Sequence, residues 1–228
     1  MNTTLDIIYS DNHLIALNKL PGQISQSDKT GDASLFDLLK EHIRVTYQKP
    51  GNVYLALLHR IDRPVSGVLL FARTGKAADR MSEMIRERQF QKTYWAVVKN
   101  RPPKDADTLE HYLVKNEKQN KSYVSTANNK DAKPARSSYR LLQTLHRYYL
   151  LEVSLHTGRH HQIRAQLAAM GCPIKGDIKY GFDRTNSDGS IHLHARSLQF
   201  THPVTKEEIR LLADPPKDPI WDACLPDV

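Results

Sequence analysis

Residues 54–72 read Tyr54-Leu55-Ala56-Leu57-Leu58-His59-Arg60-Ile61-Asp62-Arg63-Pro64-Val65-Ser66-Gly67-Val68-Leu69-Leu70-Phe71-Ala72. An apolar run over 54–61 stops at a charged turn, and a second apolar run over 67–74 begins at once, the pattern of two strands joined by a loop. Pro64 locks its own φ and Gly67 admits conformations closed to other residues, so the loop has a defined shape. Asp62 stands between two guanidinium-bearing residues, Arg60 and Arg63. A neighbouring positive charge favours the ionised carboxylate, which makes Asp62 a candidate nucleophile or base. A solvent-exposed turn carrying a surface ion pair accounts for the same nine residues, 59–67, equally simply.

The same strand signature recurs outward in both directions. It appears at residues 5–10, 13–20, 92–100, 137–145, 148–155, 197–202 and 208–216, each run apolar or alternating and bounded by Gly, Pro, Asp or Asn. Three helices interrupt the strands. The first follows Asp32 and Ser34 as cap candidates and repeats Leu35, Leu38, Leu39 and Ile43 on one face. The second starts after Thr74 with Ala77, Met81, Met84 and Ile85 on its buried stripe. The third runs from about His160 to Met170 and is stopped by Gly171 and Pro173. Many strands with few helices, not regularly alternating, predict an α+β fold with a mixed, mainly antiparallel central sheet flanked by helices and loops. Two polar stretches, 116–133 and 183–190, read as loops. The first, rich in Lys, Asn and Ser, is either a solvated hairpin loop or an arm for RNA.

The second charged constellation is Thr157-Gly158-Arg159-His160-His161-Gln162-Ile163-Arg164, where a strand gives way to a helix. Unsatisfied N–H groups at a helix start, with two arginines and two histidines around them, suit an anion or the support of a carboxylate. A charged cap at the surface is the alternative. A third group, Lys92-Thr93-Tyr94-Trp95, opens a strand; its aromatics could stack on a nucleobase or simply fill the core. His192 and His194, with His160 and His161, raise a metal-dependent hydrolase, but no HExxH or Cys pair supports it. Phosphate-loop and dinucleotide-binding glycine patterns are absent.

Composition bounds the partner. The 228 residues carry 33 Lys+Arg against 25 Asp+Glu, a net +8 that suits a polyanion such as nucleic acid without requiring one. No apolar run approaches the roughly 20 residues a bilayer needs. The first nine residues lack a secretory pattern and two distant cysteines make no disulfide framework, so the expected location is the cytoplasm.

Taken together, the motifs resemble the RluA family of pseudouridine synthases over nearly the whole chain. Residues 59–67 are similar to that family's HRLD-x-x-(T/S)SG signature, and 157–164 to its TGR-x-HQIR pattern at every fixed position. Lys92-Thr93-Tyr94 resembles its K-x-Y strand, Asn18-Lys19-Leu20-Pro21-Gly22 its NKP-x-G opening, and Leu198-Gln199-Phe200-Thr201-His202-Pro203 its L-x-F-x-HP ending. Ile61 departs from Leu, Pro64 and Val65 from the usual pair, and Leu20 shifts the opening proline by one; none removes a catalytic group. The resemblance implies the pseudouridine synthase catalytic-domain fold and isomerisation of uridine in ribosomal or transfer RNA, with no cofactor or metal. It implies Asp62 as the catalytic aspartate, Tyr94 as the residue stacked on the target base, and Arg164 as the partner that holds Asp62. Arg60 would fill the gap left by the flipped nucleotide, and Arg63, Arg159, His161 and Lys19 join it as RNA-binding candidates. It further implies a single catalytic domain over 1–228 with no N-terminal S4-type RNA-binding domain, acting as a monomer on RNA and not on DNA or membranes. A noncatalytic RNA-binding module on the same fold remains the competing reading.

Overall fold

The computed structural model describes residues 5–28 and 31–224. From the N-terminal side, β1 (Ile7–Ser10) and β2 (Leu14–Lys19) lead to α1 (Leu35–Thr46). A two-residue strand β3 (Ala56–Leu57), β4 (Ser66–Ala72) and α2 (Gly75–Arg86) follow. Next come β5 (Gln91–Val98), β6 (Ala106–Asn116), β7 (Lys121–Ser125), β8 (Lys133–Thr144), β9 (Tyr149–Leu155) and α3 (Gln162–Ala169). After these stand β10 (Leu193–Thr201), β11 (Glu208–Leu212) and α4 (Pro219–Asp222). Strands dominate and their pairing is mainly antiparallel, so the fold is α+β as expected. Among the described residues no helix is long and apolar enough to cross a membrane.

The chain divides into two compact units, Met1–Phe90 with Ala195–Asp214, and Gln91–His194 with Pro215–Val228. In the first unit the strand order is β1-β2-β4-β10, with β11 on β10 and β3 on β4; β1–β2, β2–β4, β3–β4 and β10–β11 pair antiparallel. All seven residues of β4 are buried, which is why it reads as a continuous apolar run with no alternation. Its core gathers Leu14, Ala16, Val68, Leu70, Met81, Phe90 and Phe200, with α2 laying Ala77, Ala78 and Met81 onto the sheet. Both helices of this unit start as their sequences require. The Ser34 and Thr74 hydroxyls accept the backbone N–H three residues on, and Asp32 is not the cap.

The run over 54–61 forms only the two-residue β3. Beyond it the His59 ring takes the place of a backbone carbonyl, its Nε2 accepting the Leu70 N–H at 3.2 Å, so the ladder with β4 ends there. Gly67, the second residue of β4, sits at φ +117°, and a Cβ at that position would lie 2.3 Å from the Ala195 carbonyl oxygen. Only glycine fits.

In the second unit the order is β5-β9-β8-β6-β7, antiparallel throughout. Stretch 116–133 is more ordered than a loop: β7 lies within it and pairs with β6 from Tyr112↔Ser125 to Asn116↔Lys121. Strands β6 and β7 escape a hydrophobicity reading because they form a largely exposed hairpin, in which only Leu109 and Leu113 of β6 and Ser122 of β7 are buried. Residues 183–190 are a loop as expected. Helix α3 begins at Gln162, two residues later than the sequence suggests, and six of its eight residues are buried, so even its polar side chains, Gln162, Arg164 and Gln166, point into protein.

Candidate active site

In the first unit, Asp62 is half-buried on the loop that enters β4, and the segment just after β2 braces that loop. The Asp62 carbonyl accepts the Val65 N–H at 3.0 Å, closing a tight turn around Arg63 and Pro64. The Gly22 N–H donates to the Arg63 carbonyl at 2.8 Å. The Ser25 hydroxyl donates to the Ile61 carbonyl at 3.1 Å and accepts the Ile61 N–H at 3.4 Å. Lys19, opposite Gly67 in the β2–β4 register, sends its ammonium to the carbonyls of Val65 at 2.5 Å, Arg63 at 3.1 Å and Leu20 at 3.1 Å. Every residue from Ile61 to Val65 except Pro64 thus has its backbone tied from within the unit, and the Asp62 carboxylate rides on a fixed support.

Two expectations change here. Lys19 is 0% exposed, so it is a structural cation beneath the loop and not a contact for RNA. Burial pushes its ammonium down to about 7, opposed by the attraction of Asp62 and reinforced by the repulsion of Arg63. Arg63 is not reserved for Asp62 either: its guanidinium reaches Asp32 at 2.7 Å, with both side chains about half exposed. Arg60 is exposed.

The buried lysine has a measurable signature. Its proton is held to about pH 7 in the folded chain and to 10.5 in the unfolded one, so between those values the unfolded chain binds the extra proton and folding stability rises with pH. Urea melts from pH 6 to 9 should show wild type gaining on Lys19→Met, by at most about 1.4 kcal/mol per pH unit. At pH 6 the variant, with three carbonyls left without their donor, should still be the less stable by about 2 kcal/mol.

In the second unit, Tyr94 lies half-buried on β5 opposite Val153 of β9. Lys92, two residues earlier and so on the same face, has its ammonium pushed down by burial. The start of α3 is built by its own signature residues. The Gln162 side chain accepts from the Thr157 hydroxyl at 2.7 Å and the Arg159 N–H at 3.0 Å, and donates to the Arg136 carbonyl at 3.0 Å. Thr157 in turn accepts the Arg136 N–H at 2.9 Å, which fastens the turn to β8. Arg159 directs its Nε–H to the Pro134 carbonyl at 3.0 Å. Gln166, fully buried, accepts from the Ser137 hydroxyl at 2.8 Å and donates to the Leu109 carbonyl at 3.0 Å, tying α3 to β8 and β6. Thr157 and Gln162 of the motif, and Gln166 just beyond it, are therefore scaffold.

Arg164 is 5% exposed and faces Asp177, itself 1% exposed; Nε and Nη2 donate to the two carboxylate oxygens at 2.7 and 2.8 Å. Nη1 lies 3.0 Å from His161 Nε2, and the Tyr180 ring covers the guanidinium at 5.0 Å. His161 is buried and belongs to this cluster, which removes it from the candidates for RNA contact. Asp177 and Tyr180 carry no motif signal of their own in the sequence. The histidines behind the metal reading are engaged otherwise. His192 accepts from Asn186 through Nδ1 and donates to Asp218 through Nε2, both at 3.0 Å, while stacking on Trp221. Burial lowers its pKa against the pull of Asp218. Among the described residues no three His, Cys, Asp or Glu side chains gather as a metal site would require.

Known proteins resemble this chain over most of its length. The family described as RNA pseudouridylate synthase matches residues 13–169, an interval that holds Asp62, Tyr94 and Arg164. The large-subunit ribosomal pseudouridine synthase C of Vibrio cholerae is 33% identical over 213 residues, covering 91% of this chain and 64% of its own length. The tRNA pseudouridine synthase C of Pectobacterium carotovorum is 32% identical, covering 97% of this chain and 60% of its own. The chain thus spans less than two thirds of either relative. Among solved structures, the human RNA pseudouridylate synthase domain containing 4 superposes with a TM-score of 0.81 at 25% identity, covering 96% of this chain and 92% of that one. With a family match over most of its length and relatives at one-third identity, the chain belongs to the RNA pseudouridylate synthase family.

Proposed function

We propose that the chain isomerises uridine to pseudouridine in RNA, with Asp62 as the catalytic carboxylate, Tyr94 as the ring that stacks on the target base, and Arg164 as the group that holds Asp62. The observation that carries this reading is the Asp62 turn, a half-buried carboxylate on a loop whose backbone is pinned by Lys19, Gly22 and Ser25. The reaction breaks the C1′–N1 bond, turns the uracil, and joins C1′ to C5. C5 gives up its proton and N1 acquires one, so atoms balance with no oxidant or reductant. A carboxylate can attack the sugar or deprotonate it, and both roles need an ionised side chain. A stacked ring keeps the free base in place while it turns. The nucleotide must leave its helix first, at a few kcal/mol, which contacts to the phosphates offset.

Ribosomal and transfer RNA are the proposed substrates, the two classes that the names of the relatives above carry. Arg60, Arg63 and Arg159 supply the contacts, Lys19 and His161 being buried. The buried free thiols of Cys172 and Cys224 suit a reducing cytoplasm, where a monomer would act. The test is a pseudouridine map of total RNA from cells with and without the gene. At least one uridine should lose its modification in the deletion and regain it with wild type, and not with Asp62→Asn. A deletion map with every site intact overturns the proposal.

A further inference from the structure

His161 stands at the end of a hydrogen-bond chain whose direction can be read atom by atom. A guanidinium only donates, so the 3.0 Å contact from Arg164 Nη1 makes His161 Nε2 an acceptor and leaves the ring proton on Nδ1. Nδ1 lies 3.0 Å from the Tyr180 hydroxyl. That hydroxyl has one proton, given to the Ser122 carbonyl at 3.1 Å, and it accepts the Ser122 N–H at 2.8 Å. Its second lone pair receives the His161 Nδ1–H. Ser122 belongs to β7, so the exposed β6–β7 hairpin fixes the tyrosine, the tyrosine fixes the tautomer, and the tautomer presents a lone pair to Arg164. Two further features hold the imidazole in place. It stacks on His160, centroids 3.8 Å apart, and the Nδ1 of His160 lies 2.9 Å from the Ser122 hydroxyl. The His161 backbone sits at φ 52°, a left-handed conformation unusual for a residue with a side chain, yet the side chain makes no capping bond to the helix it begins.

We propose that His161, in its neutral Nδ1–H form set by Tyr180, is a positioning residue that orients the Arg164 guanidinium for the pseudouridine reaction. The inference rests on the function proposed above, since it assigns Arg164 a part in that reaction. Asp177 holds two nitrogens of the guanidinium and His161 the third, so all three are fixed before RNA arrives.

Two measurements test it separately. Nitrogen NMR of histidine-labelled protein should show His161 as the Nδ1–H tautomer in wild type, and Tyr180→Phe should erode that preference; an Nε2–H ring in wild type overturns the proposal whatever the enzyme does. Kinetics on a modified RNA then compare His161→Gln, whose amide oxygen can reach the Nε2 position, with His161→Asn, whose amide reaches only Nδ1. Gln should keep most of kcat, whereas Asn should lose kcat by about 10- to 100-fold through misplacement of Arg164, with KM within about twofold. Equal kcat for Gln and Asn, or a loss confined to KM, overturns the positioning role. Wild type inactive on every RNA, with the tautomer as stated, would instead sink the function and leave the geometry standing.

Discussion

Asp62→Asn should form no pseudouridine above background, a loss on the order of 10³-fold or more in kcat/KM, while RNA affinity stays within about twofold. Asparagine keeps the size and the backbone of the residue, so the 3.0 Å bond from Val65 N–H to the Asp62 carbonyl survives, as do the ties at Ile61, Arg63 and Val65. What it lacks is an ionised oxygen able to attack or deprotonate the sugar. Asp62→Glu retains the charge and moves it by one methylene; a displacement near 1 Å is worth about 10²-fold, so this variant should fall between the two. Gel-shift titration and tritium release from C5-labelled uridine read the two properties independently. Undiminished tritium release by the Asn variant would eliminate Asp62 as the catalytic group, and RNA binding with no release even by wild type would favour the noncatalytic module.

The Asp62 turn is legible in the sequence because its signals are local: two apolar runs, one proline and one glycine within nine residues. Its support is not, since Lys19 and Ser25 act from 46 and 36 residues upstream of their partners Val65 and Ile61. The family resemblance makes Lys19 a candidate contact for RNA, and only the carbonyls that surround it reveal an interior cation. Arg164 shows the same division. Its motif marks it, but the buried carboxylate that orients it lies 13 residues on, in a loop with no periodicity. The β6–β7 hairpin is hidden for another reason. Strands are read from alternation of apolar and polar residues, and a hairpin exposed along most of its length has too few apolar positions to alternate. The histidines of the metal reading illustrate the limit of residue type alone, because a ring satisfied by Asn186 and Asp218 looks in sequence like a ring awaiting zinc.

Asp177→Asn should destabilise the protein by about 3–5 kcal/mol, the range expected when one partner of a buried ion pair is removed. For a chain of this size that lowers the melting temperature by about 10 °C. The reason is desolvation. Side-chain exposure is 6% for Arg164 and 1% for Asp177, so the guanidinium has been taken out of water and two of its nitrogens have been given carboxylate oxygens in exchange. The substituted amide returns one oxygen and turns an N–H₂ toward a group that can only donate. The backbone of residue 177 keeps its bonds to Ile174, Tyr180 and Phe182, so the loss belongs to the side chain. A control lies in the same unit. Lys99 and Asp183 also pair at 2.7 Å, but with side chains 40% and 66% exposed, where water screens the charges and replaces a lost partner. Asp183→Asn should therefore cost less than about 1 kcal/mol despite an equal distance. Urea denaturation of the two variants compares them directly: equal losses would mean that the Arg164–Asp177 pair is solvated in the working protein, and the rigid guanidinium on which the positioning role of His161 depends would be lost with it.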